Sequence, residues 1–262
     1  MLITEIFENQ ITPFHCIALV SDIHGNLPAL QSVYEHATQQ GAQLFFNAGD
    51  TVGYGPFPNE CVDFIRDKKF FSVIGDYDQK VLAFPQHARR YQQKKHVLKN
   101  LAFQWAYTNL TPTNHRFLSH LPIDHRMSLA QRSFFLTHGA PNNTRMYIRD
   151  ATTTQEWRRY QQKAHSDIII SGNTHIFHQH MIENTLFVNP GSIGRQDDGD
   201  PRASYAILLL DDPISVKQYR VEYDTEQIIK QLEFYDLPRE FSYMFREGRS
   251  LDSVLQHMSS HE

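Results

Sequence analysis

Short apolar runs alternate with amphipathic stretches along the chain. Cys16–Ser21 reads CIALVS, a continuous apolar run of strand length, which predicts a strand buried on both faces. After Asp22-Ile-His-Gly-Asn26, the residues Leu30, Val33, Tyr34 and Ala37 fall on one face of a helix. Asn26 suits its N-cap, Pro28 its first turn and Gly41 its C-terminal end. Leu44–Ala48 predicts a second strand ending at Gly49-Asp50, and the loop TVGYGPFP leads into a short helix with Cys61, Phe64 and Ile65 inward. Phe70–Ile74 predicts a third strand, ending at Gly75-Asp76-Tyr77-Asp78. Further strands are expected at Ser133–Thr137 before His138-Gly139, at Ile168–Ser171 before Gly172-Asn173-Thr174-His175, and at Phe187–Val188 before Asn189-Pro-Gly-Ser192. Ser204–Leu210 is another apolar run, and Tyr219, Val221 and Tyr223 alternate as a half-buried strand should. Asp224 with Gln227 resembles a capping box opening a helix through Ile228, Ile229 and Leu232, and one or two short helices are expected from residue 238.

Roughly residues 85–122 break this rhythm. They are rich in Gln, Lys, Arg and His, place Leu98, Leu101, Ala102 and Trp105 at helical spacing, and are punctuated by Pro112 and Pro122. A helical insert, a cap over a site, is expected there within a single domain spanning 1–262, because no repeat and no flexible linker interrupts the chain.

Composition narrows the function classes. Apolar residues make up 40%, which excludes wholesale disorder. Lys plus Arg is 25 and Asp plus Glu is 29, a net charge of −4, so a partner that is a long nucleic acid is not expected. A local phosphate site is compatible with that charge. Cys16 and Cys61 sit in apolar segments and form no C-x-x-C pair, which argues against a disulfide scaffold or a cysteine zinc site. MLITEIFENQ lacks the basic and apolar regions of a leader, and no apolar run reaches 18 residues, so a cytoplasmic protein without a membrane partner is expected.

Five apolar strands are followed at once by DIHGN, GDTVG, GDYD, HGAP and GNTH. Ligands of open α/β sheets bind at the carboxyl ends of strands, so these Asp, His and Asn side chains converge on one edge. Carboxylate oxygen with imidazole nitrogen is a ligand set for Mn²⁺, Fe, Zn²⁺ or a similar ion.

Asp22-x-His24, Gly49-Asp50, Gly75-Asp76-Tyr77-Asp78, His138 and Gly172-x-x-His175 resemble, in order, the D-x-H, G-D, G-N-H-D/E, H and G-H-x-H series of the calcineurin-like metallophosphoesterases. The stretches SDIHGNLPALQSV, GDTVGYGPFPNECV and NPGSIGRQDDGDPRASYA resemble the small bacterial and archaeal phosphodiesterase-type branch, not the protein Ser/Thr phosphatases. The resemblance implies an α/β fold with two central mixed β-sheets sandwiched between helices. It also implies two divalent ions, Mn, Fe, Zn or Mg, about 3.5–4 Å apart with a hydroxide between them that attacks phosphorus. Asp22, His24, Asp50 and His175 match the ligands of the first ion, and Asp50, Asp76, His138 and Asn173 those of the second, with Asp50 bridging. Tyr77 and Asp78 fall at the family's catalytic positions, and Asn26 is placed to touch phosphate or to cap its helix.

Three departures bear on activity. Asp76 stands where the family has Asn, which adds a negative charge. Asn173 stands where it has His, which weakens a ligand. Tyr77 stands where it has the histidine that protonates the leaving group, and a phenol of pKa about 10 is a poor acid at neutral pH. The expected function is hydrolysis of a small phosphodiester or nucleotide-type substrate. The alternative is a weak or inactive member serving as a metal- or nucleotide-binding regulatory protein. The oligomeric state stays open. His178 or His180 is a further candidate to replace the ligand lost at Asn173. Arg145, Arg149, Arg195 and Arg202 are candidates for substrate phosphate. Arg89, Arg90, Lys94 and Lys95 read as a solvated helix face, and Asp197, Asp198 and Asp200 as a polar turn.

Overall fold

The computed structural model describes residues 15–94 and 96–260. The stretch MLITEIFENQ, Lys95 and the side chain of Lys94 lie outside what is described. The strands are β1 (Cys16–Val20), β2 (Leu44–Asn47), β3 (Phe71–Ser72), β4 (Asp124–Leu129), β5 (Arg132–Thr137), β6 (Ile168–Ile170), β7 (Phe177–Ile182), β8 (Thr185–Pro190), β9 (Ala203–Leu209) and β10 (Ser215–Val221). They form two five-stranded mixed sheets, ordered β10-β9-β1-β2-β3 and β4-β5-β6-β8-β7.

Alternation explains the continuous apolar runs. Ile17 and Leu19 of β1 point between the sheets, where they meet Phe46 of β2, Phe134 and Leu136 of β5, and Ile168 and Ile170 of β6. Ala18 and Val20 point the other way, onto α1 (Leu27–Gln39) and α2 (Pro58–Asp67) through Leu30, Val33, Cys61 and Ile65. The outer face of the second sheet, Phe135, Ile169 and Phe187, is covered by Trp157 and Tyr160 of α7 (Thr154–Ala164). Every central strand is therefore buried on both faces, so no polar alternation is visible in its sequence.

The turn from β3 opens α3 (Asp76–Leu82), and α4 (Phe84–Lys94), α5 (Val97–Asn109) and α6 (Pro112–Ser119) follow within the segment expected to be helical. Phe103 of α5 packs its ring 5.1 Å from that of Tyr77, so the insert backs one wall of the strand-end cluster. Arg89 and Arg90 are exposed. The chain ends in α8 (Thr225–Phe234), α9 (Arg239–Glu247) and α10 (Leu251–Ser259), whose Phe241, Met244 and Leu251 pack with Tyr54 and Ala102. Both cysteines are buried and free.

One tie between strands is testable. Ser133 donates its N–H (2.8 Å) and its hydroxyl (2.7 Å) to the Asp167 carboxylate, linking β5 to the start of β6. The backbone N–H, then the hydroxyl, holds the Asp167 carboxyl below its ordinary range. A depressed folded pKa stabilises the fold above the ordinary value of about 3.9, and the contribution is lost as pH falls through the folded value. Asp167→Ala is expected to cost about 1–2 kcal/mol in urea unfolding at neutral pH. The gap from wild type should narrow below about pH 4, and a gap that does not narrow contradicts this account.

Candidate metal centre

Local backbone geometry aims the strand-end residues. Asp22, His24, Asp50, Asn173 and His175 all adopt positive φ, between 50° and 70°. That conformation is uncommon for non-glycine residues and is retained where side-chain direction matters. The turns also need glycine: a Cβ at Gly75 would collide with Asp50 Oδ1, and one at Gly172 with Ser21 Oγ.

Three side chains, Asp22, Asp50 and His138, are each anchored to a backbone group at one end, and a fourth, His175, has a carboxylate behind it. Asp22 Oδ2 accepts the Asn173 N–H at 3.0 Å, and Asp50 Oδ1 accepts the Tyr77 N–H at 2.7 Å. His138 Nδ1 lies 2.7 Å from the Ala48 carbonyl, so Nδ1 carries a proton and Nε2 is the end turned toward Asp50. His175 Nδ1 lies 3.3 Å from Asp197 Oδ2. The free atoms converge. His24 Nε2 stands 3.2 Å from His175 Nε2, 3.9 Å from Asp22 Oδ1 and 3.8 Å from Asp50 Oδ2. His175 Nε2 is 3.3 Å from Asp22 Oδ1, and His138 Nε2 is 3.4 Å from Asp50 Oδ2. Among the described residues, Asp22 Oδ1, His24 Nδ1, His138 Nε2 and His175 Nδ1 are buried without a hydrogen-bond partner. Buried polar atoms that face one another without bonding are what a cation's ligands look like.

Two groups have ligand atoms within 4.8 Å of one another: Asp22, His24 and His175, and Asp22, Asp50 and His138. Asp22 is common to both, while Asp50 Oδ2 faces His24 and His138 alike, so two carboxylates lie between the groups where the family pattern predicted Asp50 alone. The field is strongly negative. Against the cost of burial, the Asp50 carboxylate pushes His138 up to about 10. Against burial and the Arg195 charge, Asp197 and Asp22 push His175 up to about 9. His24 goes the other way, held well below its ordinary value by burial and then by Arg195 and the two imidazoles.

The other expected residues are placed differently. Asp76 lies in neither group, and its carboxylate is paired with Lys80. Asn173 donates Nδ2 to the Thr144 carbonyl at 3.0 Å, which leaves its oxygen as the end available to a cation. Asp78, expected among the catalytic groups, is fully buried, with its two oxygens accepting the Val52 and Gly75 N–H groups at 3.0 Å. It holds the Gly49–Val52 loop against α3. Asn26, read as a phosphate contact or a helix cap, is fully buried and caps: Oδ1 accepts from Ala29 N (3.2 Å) and Nδ2 donates to the Gly194 carbonyl (3.1 Å). His178 is buried on β7, and His180 stacks on Trp157 with centroids 4.7 Å apart; neither joins a ligand group.

A cavity of ≈ 410 Å³ adjoins the centre, lined by Asn173, Thr174, His178, Arg195, Asp197, Tyr147 and Arg149. Of the four candidate arginines, Arg195 and Arg149 reach it, Arg145 lines a neighbouring cleft, and Arg202 pairs with Asp200. The Arg195 guanidinium stands 5.3 Å from the Tyr54 ring centroid and 5.9 Å from that of Tyr77, whose hydroxyls are 3.0 Å apart. Asp197 was indistinguishable in sequence from Asp198 and Asp200. Space separates them: Asp198 pairs with Arg220 and Asp200 with Arg202, while Asp197 Oδ2 accepts from Arg195 at 2.8 Å and also lies 3.3 Å from His175 Nδ1.

A family model for the calcineurin-like phosphoesterase superfamily domain matches residues 16–213. The chain belongs to the calcineurin-like phosphoesterase superfamily. An uncharacterized protein of Methanocaldococcus jannaschii is 30% identical over 244 residues, covering 85% of this chain and 93% of that one. The phosphodiesterase YfcE of Escherichia coli is 25% identical over 198 residues, covering 73% of this chain and 86% of its own. A metallophosphoesterase structure from Sphaerobacter thermophilus superposes with a TM-score of 0.73 at 27% identity, over 89% of this chain and 99% of that one. A hypothetical protein from Pyrococcus horikoshii shares the fold at TM-score 0.79 and 21% identity, over 90% and 99% of the two chains. In metal sites generally, a carboxylate behind a ligating imidazole sets the ring's orientation and basicity. Asp197→Asn is therefore expected to weaken metal binding about 10- to 100-fold in competition with a chelator. Unchanged affinity would show that Asp197 serves the turn alone.

Proposed function

We propose that the chain hydrolyses a small phosphodiester or nucleotide-type phosphoester at this centre, with Asp22, His24, Asp50, His138 and His175 as metal ligands. The observation that carries the reading is the set of anchored side chains whose free atoms converge on one buried point. A divalent ion bound there supplies a water of lowered pKa and a Lewis acid for the phosphoryl oxygen. The remaining steps belong to the chain. Ala48 and Asp197 fix the orientations of the His138 and His175 rings. Arg195 and Arg149 bind the anionic phosphoryl oxygens in the adjoining cavity. The Tyr77–Tyr54 hydroxyl pair donates a hydrogen bond beside Arg195 but is a weak acid, since burial raises both phenols above their ordinary value. Asn173 is the weaker ligand of a second ion, and the segment 85–122 is an insert within one domain.

A specific observation favours a second reading. Asp76 is engaged with Lys80 and the Asn173 amide with Thr144, as in a member that binds metal and substrate without efficient turnover. Steady-state hydrolysis of bis(p-nitrophenyl) phosphate, a nucleotide diester and a monoester with Mn²⁺ supplied separates the two. Turnover that prefers diesters supports the enzyme. Metal and nucleotide binding without turnover supports the regulatory alternative.

A further inference from the structure

The ≈ 410 Å³ cavity shares its walls with the metal centre. Asn173, which lines it, donates its backbone N–H to Asp22 Oδ2 at 3.0 Å, and Asp197, which also lines it, has Oδ2 3.3 Å from His175 Nδ1. The volume is in the range of small-molecule sites. Its lining charges cancel, Arg149 and Arg195 against Asp150 and Asp197. Once the arginines hold the scissile phosphate, no positive charge is left over for a second one, so the rest of the cavity suits a neutral substituent. That lining is polar in one part and apolar in another. His178 is 5% exposed and its Nε2 has no hydrogen-bond partner, and Arg195 Nε is buried and unpartnered as well. Buried polar atoms in this state call for a ligand or water to satisfy them. Tyr147 and Ile176 supply the apolar part, 54% and 40% exposed. The segment carrying Tyr147 is held on both sides: Tyr160 of α7 donates its hydroxyl to Met146 Sδ at 3.0 Å, and Ile148 is buried with Trp157 and Tyr160. An exposed ring on an anchored segment engages a flat ligand at little entropic cost. A nucleobase, with a flat face and a hydrogen-bonding edge, matches both parts.

We propose that this cavity is the nucleoside subsite of the phosphodiester substrate, with Tyr147 as the surface on which the base stacks and His178 Nε2 as a hydrogen-bonding group for the nucleoside. This rests on the phosphoesterase reading given above and narrows it from small diesters at large to diesters of a nucleoside. The base lies away from the reacting phosphorus, so its contacts strengthen ground-state and transition-state binding alike.

Two diesters with the same leaving group, thymidine 5′-(p-nitrophenyl phosphate) and methyl p-nitrophenyl phosphate, test the proposal on the Mn²⁺-loaded full chain. Wild type is expected to prefer the thymidine ester at least about tenfold in kcat/KM, chiefly through KM, as stacking of one base on an aromatic ring supplies. Tyr147→Ala should remove most of that preference, and Tyr147→Phe, which keeps the ring, should retain it. Melting temperatures check each fold, and Tyr147→Leu serves where Tyr147→Ala folds poorly. Equal kcat/KM for the two esters in wild type, or a preference that survives loss of the ring, overturns the subsite and leaves phosphoester hydrolysis standing. A metal-loaded chain that turns over neither ester overturns hydrolysis, and the subsite is then read by isothermal titration with thymidine 5′-monophosphate and with inorganic phosphate. Nucleotide bound at least about tenfold tighter than phosphate, with the difference lost in Tyr147→Ala, sustains the subsite. Equal binding of the two overturns it.

Discussion

Asp50→Ala is expected to lower diester hydrolysis by about 10³-fold or more, the several kcal/mol that a bound metal contributes. Asp50 Oδ2 faces both His24 and His138, at 3.8 and 3.4 Å, and Oδ1 holds the Tyr77 N–H at 2.7 Å. The substitution removes a ligand from the middle of the cluster, frees the N-terminal turn of α3, and leaves His138 without the carboxylate that attracts positive charge to it. Metal content should fall with activity. Asp50→Asn, which keeps the Tyr77 hydrogen bond but loses the charge, separates the two contributions: metal should still be lost while the fold survives thermal unfolding. Unchanged metal content in Asp50→Ala would mean that the ion binds elsewhere.

The second large effect is a gain. Tyr77 occupies the position from which the family's histidine protonates the leaving group, and its hydroxyl points to Tyr54 at 3.0 Å. Burial lifts its pKa well above the ordinary phenol value, further from useful acidity at neutral pH. Wild-type rates should therefore fall steeply as the leaving group becomes more basic. Tyr77→His is expected to raise turnover of alkyl diesters by about 10²-fold or more, the worth of general acid catalysis, and to change nitrophenyl diesters little. Part of the gain will be offset in stability, because the ring packs 5.1 Å from Phe103 and 5.0 Å from His24. An equal gain on both substrate classes would show that the histidine acts by something other than protonation.

The sheet strands and the convergence of Asp22, Asp50, His138 and His175 were legible because β1, β2, β5 and β6 are apolar runs followed within a few residues by Asp or His. Several elements were not, β4 and α7 among them. β4 is an edge strand, DHRMSL, whose half-exposed residues carry no apolar run, and it pairs only with β5. α7 contains few apolar residues, although Thr153 and Glu156 form a capping box that marks its start. β3 was expected over five residues and pairs over two, Phe71 and Ser72. At the site, the bearing of Asp197 on His175 was not legible, because nothing in its spacing sets it apart from Asp198 and Asp200 in the same turn. Asn26 and Asp78 show the reverse. The motif position of Asn26 fitted a phosphate contact and a helix cap alike, and its hydrogen bonds make it a cap; Asp78 oxygens accept backbone N–H groups.

The central claim is that these convergent side chains bind a metal that makes the chain a phosphodiester hydrolase. Its most direct test is bis(p-nitrophenyl) phosphate hydrolysis by wild-type chain stripped with a chelator and then titrated with Mn²⁺, with bound metal counted on the same samples. The account predicts no turnover when stripped and turnover that rises in proportion to occupancy of the first site. Full occupancy without turnover, or turnover that survives complete removal of metal, would contradict it.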